Sequence, residues 1–135
     1  MLRYMFDTNI CIYASKGSFP ALERKLPTLK KGEACISIIT LGELLHGAEK
    51  STQKALSLAA VRTTISFLPV MPIDEGVATH YAAIRTHLER KGTPISANDL
   101  WIAAHALAEN LTLVTNNERE FKRVPKLKIE NWTKP

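Results

Sequence analysis

Three acidic residues stand at junctions between predicted elements, where they could hold a divalent cation. Asp7 follows the apolar segment LRYMF, Glu43 comes shortly after the segment ACISI, and Asp99 lies in SANDLW at the start of a helical pattern. Clustered carboxylates repel one another, and their pKa values rise unless a cation sits between them. Magnesium prefers one or two carboxylates with several waters, and its remaining positions can take a phosphate oxygen and an attacking water. These residue types therefore indicate metal-assisted chemistry on phosphate groups.

Each of these acids also has an ordinary structural explanation. The segments Thr40 to Glu43 and Ser96 to Asp99 both match the capping box, in which an acid at the third helical position returns a hydrogen bond to the cap. Asp7 could likewise be a simple N-cap. Such a cap contributes about 1 kcal/mol and is common at helix starts. Only the joint arrangement of the acids in a basic chain favours a metal site.

The elements that would position these acids follow from hydrophobic periodicity. We predict strands at 2–6, 34–38, 68–73, 111–115 and 127–129. We predict helices at 10–14, 20–29, 40–47, 52–67, 74–90, 100–110 and 116–121. Strands that alternate with helices, without hairpin signals, predict an α/β fold with a mostly parallel central sheet covered on both faces. Ligands of such sheets bind beyond the carboxyl ends of the strands, where Asp7 would lie.

Composition sets the limits of the interpretation. The chain has 135 residues and is 45% hydrophobic, so we expect one domain over residues 1–135. A net charge of +5 favours encounter with polyanions such as nucleic acid. Cys11 and Cys35 lie in apolar stretches, and we expect buried free thiols. The first apolar run stops at Asp7 and is too short for a signal peptide or a membrane span, so the cytoplasm is the expected location.

Other chemistries based on a strand-end aspartate fit these residues less well. A haloacid-dehalogenase-like phosphatase would need a second aspartate two places after Asp7, where Asn9 stands and cannot serve as a general acid. A phosphoreceiver domain would need paired acids at the end of the first strand. No glycine-rich phosphate loop is present. We interpret the scattered histidines as surface or helix-packing residues rather than zinc ligands: His46, His80, His87 and His105.

Four ordered segments resemble the VapC toxins, the PIN-domain ribonucleases of type II toxin-antitoxin pairs: MFDTNICIYA, SIITLGELLHGAEKS, GTPISANDLWIAAHA and LTLVTNNEREFKRVPKLKIENW. Together they cover nearly the whole chain in the expected order. The resemblance implies a three-layer α/β/α PIN fold, a homodimer, dependence on Mg²⁺ or Mn²⁺, and cleavage of RNA, with transfer RNA cut in the anticodon region. It also implies a VapB-like antitoxin that blocks the site, and operator DNA bound by the toxin-antitoxin complex.

The resemblance assigns roles to the three acids by their position in the family's motifs. Asp7 in DTN and Asp99 in ANDLWIA would be metal ligands. Glu43 in TLGELLHG would complete the pocket, either through a metal-bound water or by holding a second ion.

The fourth acidic position departs from the pattern of many PIN domains, which place an aspartate after the last clear strand. This chain reads TNNERE there, and we favour Glu120 as the fourth acid of the catalytic site, with Asn117 as a neutral helper. Alternatively, Glu118 and Glu120 only cap and solvate a short helix, and the number of metals stays open. We assign contacts with the RNA substrate to four residues near the site: Thr8, Asn117, Arg119 and Lys122.

Two other functions are compatible with the same residues. A structure-specific DNA nuclease can use a similar acidic pocket, although the chain leaves no additional helices to clamp DNA. In a non-catalytic domain the acids would be helix caps, and the basic segment REFKRVPKLK would bind nucleic acid or a partner.

Overall fold

The computed structural model describes residues 1–135, in which short strands alternate with helices. The strands are β1 (Tyr4–Phe6), β2 (Ala34–Ser37), β3 (Val70–Met71), β4 (Thr112–Val114) and β5 (Ile129–Glu130). The helices are α1 (Thr8–Lys16), α2 (Pro20–Lys25), α3 (Ile38–Glu49), α4 (Lys54–Phe67), α5 (Glu75–Arg90), α6 (Ala97–Ala108) and α7 (Glu118–Phe121). A single 3₁₀ turn, Leu26–Thr28, follows α2. None of the helices is long and apolar enough to cross a membrane.

The five strands form one parallel sheet in the order β3-β2-β1-β4-β5. Tyr4 of β1 pairs with Ala34 on one side and with Thr112 on the other, so β1 is the central strand. The chain first builds outward from β1 through β2 and β3, and then returns to add β4 and β5 on the other side. The connections therefore diverge between β1 and β4, and this divergence opens a crevice at the carboxyl ends of those strands.

Both faces of the sheet are buried. Successive side chains of β1 alternate between the faces, as the two-residue period of a strand requires. Met5 belongs to a core of 14 buried residues that includes α5 and α6, whereas Tyr4 and Phe6 belong to a core of nine that includes α1. Burial on both faces explains why the strands are continuous apolar runs in the sequence. The predicted α/β fold with helices on both faces is confirmed.

Helix boundaries account for most differences from the sequence-based prediction. Ser37, rather than Thr40, caps α3, because the Ser37 hydroxyl accepts a hydrogen bond from the Ile39 amide at 3.1 Å. Thr40 is buried inside the helix, so the predicted capping box from Thr40 to Glu43 is wrong. The helix predicted over 20–29 is divided at Pro27, which lacks the amide hydrogen that a continuous helix needs there.

Two smaller expectations are confirmed. Cys11 and Cys35 are both buried free thiols. Gly92 follows α5 with φ of 68°, a conformation that favours glycine, and it ends the helix where the sequence indicated.

Candidate active site

Asp7 lies at the crevice between β1 and β4. Its backbone amide donates to the Val114 carbonyl at 3.1 Å, and its side-chain Oδ1 caps α1 by accepting from the Ile10 amide at 2.9 Å. The residue is only 4% exposed. Burial raises the pKa of Asp7 and the charge of Glu43 raises it further, while hydrogen bonds from Thr115 and Ile10 oppose the increase. Asp7 is thus an N-cap and, at the same time, a buried carboxylate beside a second acid.

Glu43 lies on α3, and its carboxylate is held by residues of two other helices. The Thr8 hydroxyl at the start of α1 donates to Oε1, and the Asn98 amide in the first turn of α6 donates to Oε2 at 3.3 Å. The Thr8 hydroxyl is also 3.5 Å from the Thr40 hydroxyl. The beginnings of α1 and α6 therefore meet the first turns of α3 at this acid.

Asp99 and Glu120 form the opposite side of the site. Ser96 caps α6 by accepting from the Asp99 amide at 3.4 Å, which confirms the cap that the sequence predicted at Ser96. Burial raises the pKa of Asp99 to about 7, with additional contributions from a hydrogen bond with Glu120 and from the charges of Glu120 and Asp7. Glu120 also accepts a hydrogen bond from the Asn117 side chain at 3.1 Å. Burial and the neighbouring Glu120 thus favour the protonated form of Asp99.

The four acids form one electrostatic group around the crevice: Asp7, Glu43, Asp99 and Glu120. No lysine or arginine forms a salt bridge with any of these four acids, so ion pairing does not compensate their negative charge. The acids do not form a preassembled cage of three or more ligands. Magnesium suits such a site, because it binds to one or two carboxylates and keeps several waters.

Of the four residues that we assigned to RNA contacts, two hydrogen-bond the acids and two do not. Thr8 and Asn117 contact the acids directly, through Glu43 and Glu120 respectively. Arg119 is exposed, and the Lys122 ammonium lies 3.9 Å from the carboxylate of Glu118, which is not one of the four acids. The Glu118 carboxylate also pairs with the Lys134 ammonium, at 2.6 Å.

Sequence analysis gave no role to two residues of the site. Asn98 donates to Glu43, and Thr115 hydrogen-bonds Asp7. Thr115 directly follows β4, as Asp7 follows β1, so the strand-end position of Thr115 could have indicated its role. Asn98 had no comparable signal, because its acceptor is 55 residues away in the chain.

The histidine at position 105 is a helix-packing residue, as we interpreted it. It is fully buried in α6, and its Nδ1 lies 2.8 Å from the Ser37 hydroxyl. The contact joins α6 to the N-cap of α3.

Comparison with known proteins identifies the family of this chain. The family model of the PIN domain matches residues 4–127. The chain belongs to the PIN-domain family. The PIN-domain proteins similar to it include the tRNA(fMet)-specific endonuclease VapC of Shigella flexneri, 44% identical over 98% of this chain and 100% of the relative. They also include Ribonuclease VapC2 of Rickettsia felis, 44% identical over 97% of this chain and 98% of the relative. Within the PIN-domain family the chain is therefore a member of the VapC group of ribonucleases.

Solved structures of PIN-domain proteins have the same architecture. DNA-bound VapBC from Salmonella typhimurium matches with a TM-score of 0.92 and 45% identity, over 98% of this chain and 99% of that chain. VapBC2 from Rickettsia felis, bound to a DNA fragment from its promoter, matches with a TM-score of 0.90 and 42% identity, over 97% and 99% of the two chains. The three-layer PIN fold that the resemblance implied is confirmed.

Proposed function

We propose that residues 1–135 form one PIN domain that acts as a magnesium-dependent endoribonuclease toxin and cleaves transfer RNA in the anticodon region. The observation that carries the proposal is the convergence of Asp7, Glu43, Asp99 and Glu120 at the crevice between β1 and β4. The pKa values of Asp7 and Asp99 are raised, and strongly perturbed acids in a crevice are typical of functional sites. The names of the VapC relatives, one of them specific for tRNA(fMet), support the choice of substrate.

In this proposal Asp7 and Asp99 hold the metal. A magnesium or manganese ion bound there would stabilise charge on the scissile phosphate and increase the acidity of a water. Asp7 is fixed for this role by the Ile10 amide. Asp99 would bind the ion as its carboxylate, and its proton would leave to solvent. Glu43, fixed by Thr8 and Asn98, accepts a hydrogen bond from the attacking water and orients it toward phosphorus.

The RNA backbone would lie along the exposed side of α7. Arg119 and Lys122 are exposed there, and each offers a cation that is not committed to the four acids. Thr8 and Asn117 lie at the acids and would contact the sugar and phosphate next to the cleaved bond. A chain with net charge +5 attracts RNA despite its acidic pocket, because the basic residues lie outside the pocket.

The test is hydrolysis of purified transfer RNAs with Mg²⁺ and with excess EDTA. The variants Asp7→Asn and Asp99→Asn should lose at least 100-fold in rate, whereas Glu118→Gln should keep the parent rate. Glu118 is a matched control, because it lies on the same helix as Glu120 but pairs with Lys134. Cleavage that persists in EDTA or in folded Asp7→Asn protein would contradict the proposed site. Parallel reactions on single-stranded and flap DNA distinguish an RNase from a DNA nuclease.

We also propose that the chain binds a VapB-like antitoxin and that the complex binds operator DNA. The VapBC names of the similar structures, and the DNA bound in them, support these partners. An apolar groove of about 860 Å³ between α1 and α4 offers a binding surface, with Leu26, Leu29 and Phe67 in its lining. Phe67 is 74% exposed. Phe67→Ser should weaken binding of the purified antitoxin at least tenfold in calorimetry, and unchanged affinity would exclude this groove.

We further propose a homodimer that uses the exposed side of α3. Ile38 and Leu45 are seven residues apart, so they share one face of the helix, and they are 41% and 39% exposed. Light scattering should give twice the chain mass for the parent. A charge introduced by Leu45→Glu should shift the mass toward that of one chain.

A further inference from the structure

The two residues that hold Glu43 are the chain neighbours of the two proposed metal ligands. Thr8 follows Asp7 and donates to Oε1 of Glu43, whereas Asn98 precedes Asp99 and donates to Oε2. Both oxygens of one acid are therefore fixed by backbone segments that also carry the other two acids. Helix α3 supplies Glu43 itself but none of these donors.

From this arrangement we infer that Asn98 is a positioning residue, which sets the orientation of the Glu43 carboxylate relative to Asp7 and Asp99. The inference rests on the proposed function, because it assigns Asn98 a task in the same site. A carboxylate only accepts hydrogen bonds, so the Asn98 group that faces Glu43 is the Nδ2 amide, which only donates. The contact joins α6 to α3 across 55 residues of sequence.

An uncharged donor suits this position. A lysine or arginine would compensate the negative charge that attracts the metal, and an aspartate would repel Glu43. The amide holds Oε2 and leaves the total charge of the site unchanged. Without it, Glu43 would be fixed only through Oε1, and its terminal torsion could rotate, because rotation about this sp³–sp² bond is soft.

The first test observes the hydrogen bond without using activity. In metal-free protein, the Asn98 side-chain amide should exchange with water about fivefold more slowly in the parent than in Glu43→Ala, measured by NMR. Asn131 provides a matched internal control, because its Nδ2 donates at 3.0 Å to a different acid, Glu118. Exchange at Asn131 should not change. Equal exchange at Asn98 in both proteins would overturn the inference.

The second test separates positioning from RNA binding. Asn98→Ala should lower kcat for transfer RNA cleavage about fivefold to tenfold with little change in KM, because only the orientation of Glu43 is lost. Asn98→Asp should be slower still, since it places one carboxylate against another. Asn131→Ala is the control and should keep the parent kcat. A raised KM with unchanged kcat would instead make Asn98 an RNA contact, and equal rates for Asn98→Asp and the parent would also overturn the inference.

Failure of this inference can be distinguished from failure of the proposed function. Full activity of Asp7→Asn would contradict the active site, and the amide exchange of Asn98 would still test its bond to Glu43. An inactive Asp7→Asn protein combined with unaltered exchange and kcat in the Asn98 experiments would contradict the positioning role alone.

Discussion

Replacing Asp99 by asparagine should stabilise the metal-free protein at pH 8, although it removes a proposed metal ligand. The Asp99 pKa is about 7 in the folded protein because the side chain is partly buried and lies beside Glu120. In the unfolded chain the same carboxyl ionises near its ordinary pKa of 3.8. Between these two values the folded state binds more protons than the unfolded state, so the free energy of unfolding falls as the pH rises from about 4 to about 7. An asparagine at position 99 does not ionise, so this contribution to the pH dependence of stability is lost.

The expected size follows from the two pKa values of Asp99. The difference between about 7 and 3.8 corresponds to roughly 4 kcal/mol at 1.36 kcal/mol per pH unit. Because the side chain is only partly buried, water screens its charge, and we expect about half of this value, roughly 2 kcal/mol. For a chain of this length, that difference raises the Tm of Asp99→Asn above the parent by about 6 to 10 °C at pH 8. At pH 4 the two proteins should melt within about 2 °C of each other.

The assay is differential scanning calorimetry between pH 4 and pH 8 in EDTA, repeated with Mg²⁺. Added Mg²⁺ should raise the Tm of the parent more than that of Asp99→Asn, because a ligand stabilises the state that binds it. Glu118→Gln is a control, because the change in stability with pH that it removes should have the opposite sign. The hydrogen bond from Lys134 lowers the pKa of Glu118, so that pair stabilises the fold at pH 8 and loses its effect on acidification. If Asp99→Asn melts no higher than the parent at pH 8 without metal, our account of crowded, buried acids is wrong.

Three further predictions concern neighbouring groups. Glu120→Gln should lower the pKa of Asp99, and the acid-side midpoint of Mg²⁺ binding, followed by calorimetry, should move to lower pH. Burial lowers the pKa of His105, so the stability that its neutral ring contributes above pH 6.5 should be lost on acidification. Urea unfolding at pH 7.5 and pH 5.5 should therefore show a smaller loss in His105→Gln than in the parent. Thr8→Val removes the hydroxyl that holds Glu43 and should lower kcat about tenfold, whereas Thr8→Ser should retain most of the activity. Equal rates for these two Thr8 variants would mean that the hydroxyl is not needed.

Local sequence patterns predicted the sheet well because its strands are buried on both faces. Burial of Tyr4 to Phe6 and of Ala34 to Ser37 leaves apolar runs that few other structures explain. The start of α3 was less clear, since Ser37 and Thr40 are both cap-forming residues three positions apart. The backbone turns at Ser37 because β2 ends there, and sequence alone does not specify the strand end to that accuracy.

The acidic site depends on longer-range geometry. Topology brings Asp7 to the sheet edge, and that inference needed only the order of strands and helices. The choice between Glu118 and Glu120 depends on helix rotation, because residues two apart on a helix point about 200° away from each other. The structure directs Glu120 toward Asp99 and Glu118 toward Lys134. No local pattern fixes the rotation of a helix as short as α7.

Asp7, Glu43 and Asp99 differ in how many tasks each side chain performs, and this difference has an evolutionary consequence. The Asp7 side chain caps α1, so losing it also weakens a helix start. The cap of α6 is the Ser96 hydroxyl, which accepts from the backbone amide of residue 99 and does not need the Asp99 side chain. Glu43 lies inside α3 and caps nothing. In a gene copy released from selection for activity, folding alone would still preserve Asp7, and Glu43 and Asp99 should drift first. An intact glutamate at position 43 is therefore a better indicator of a working toxin gene than an intact aspartate at position 7.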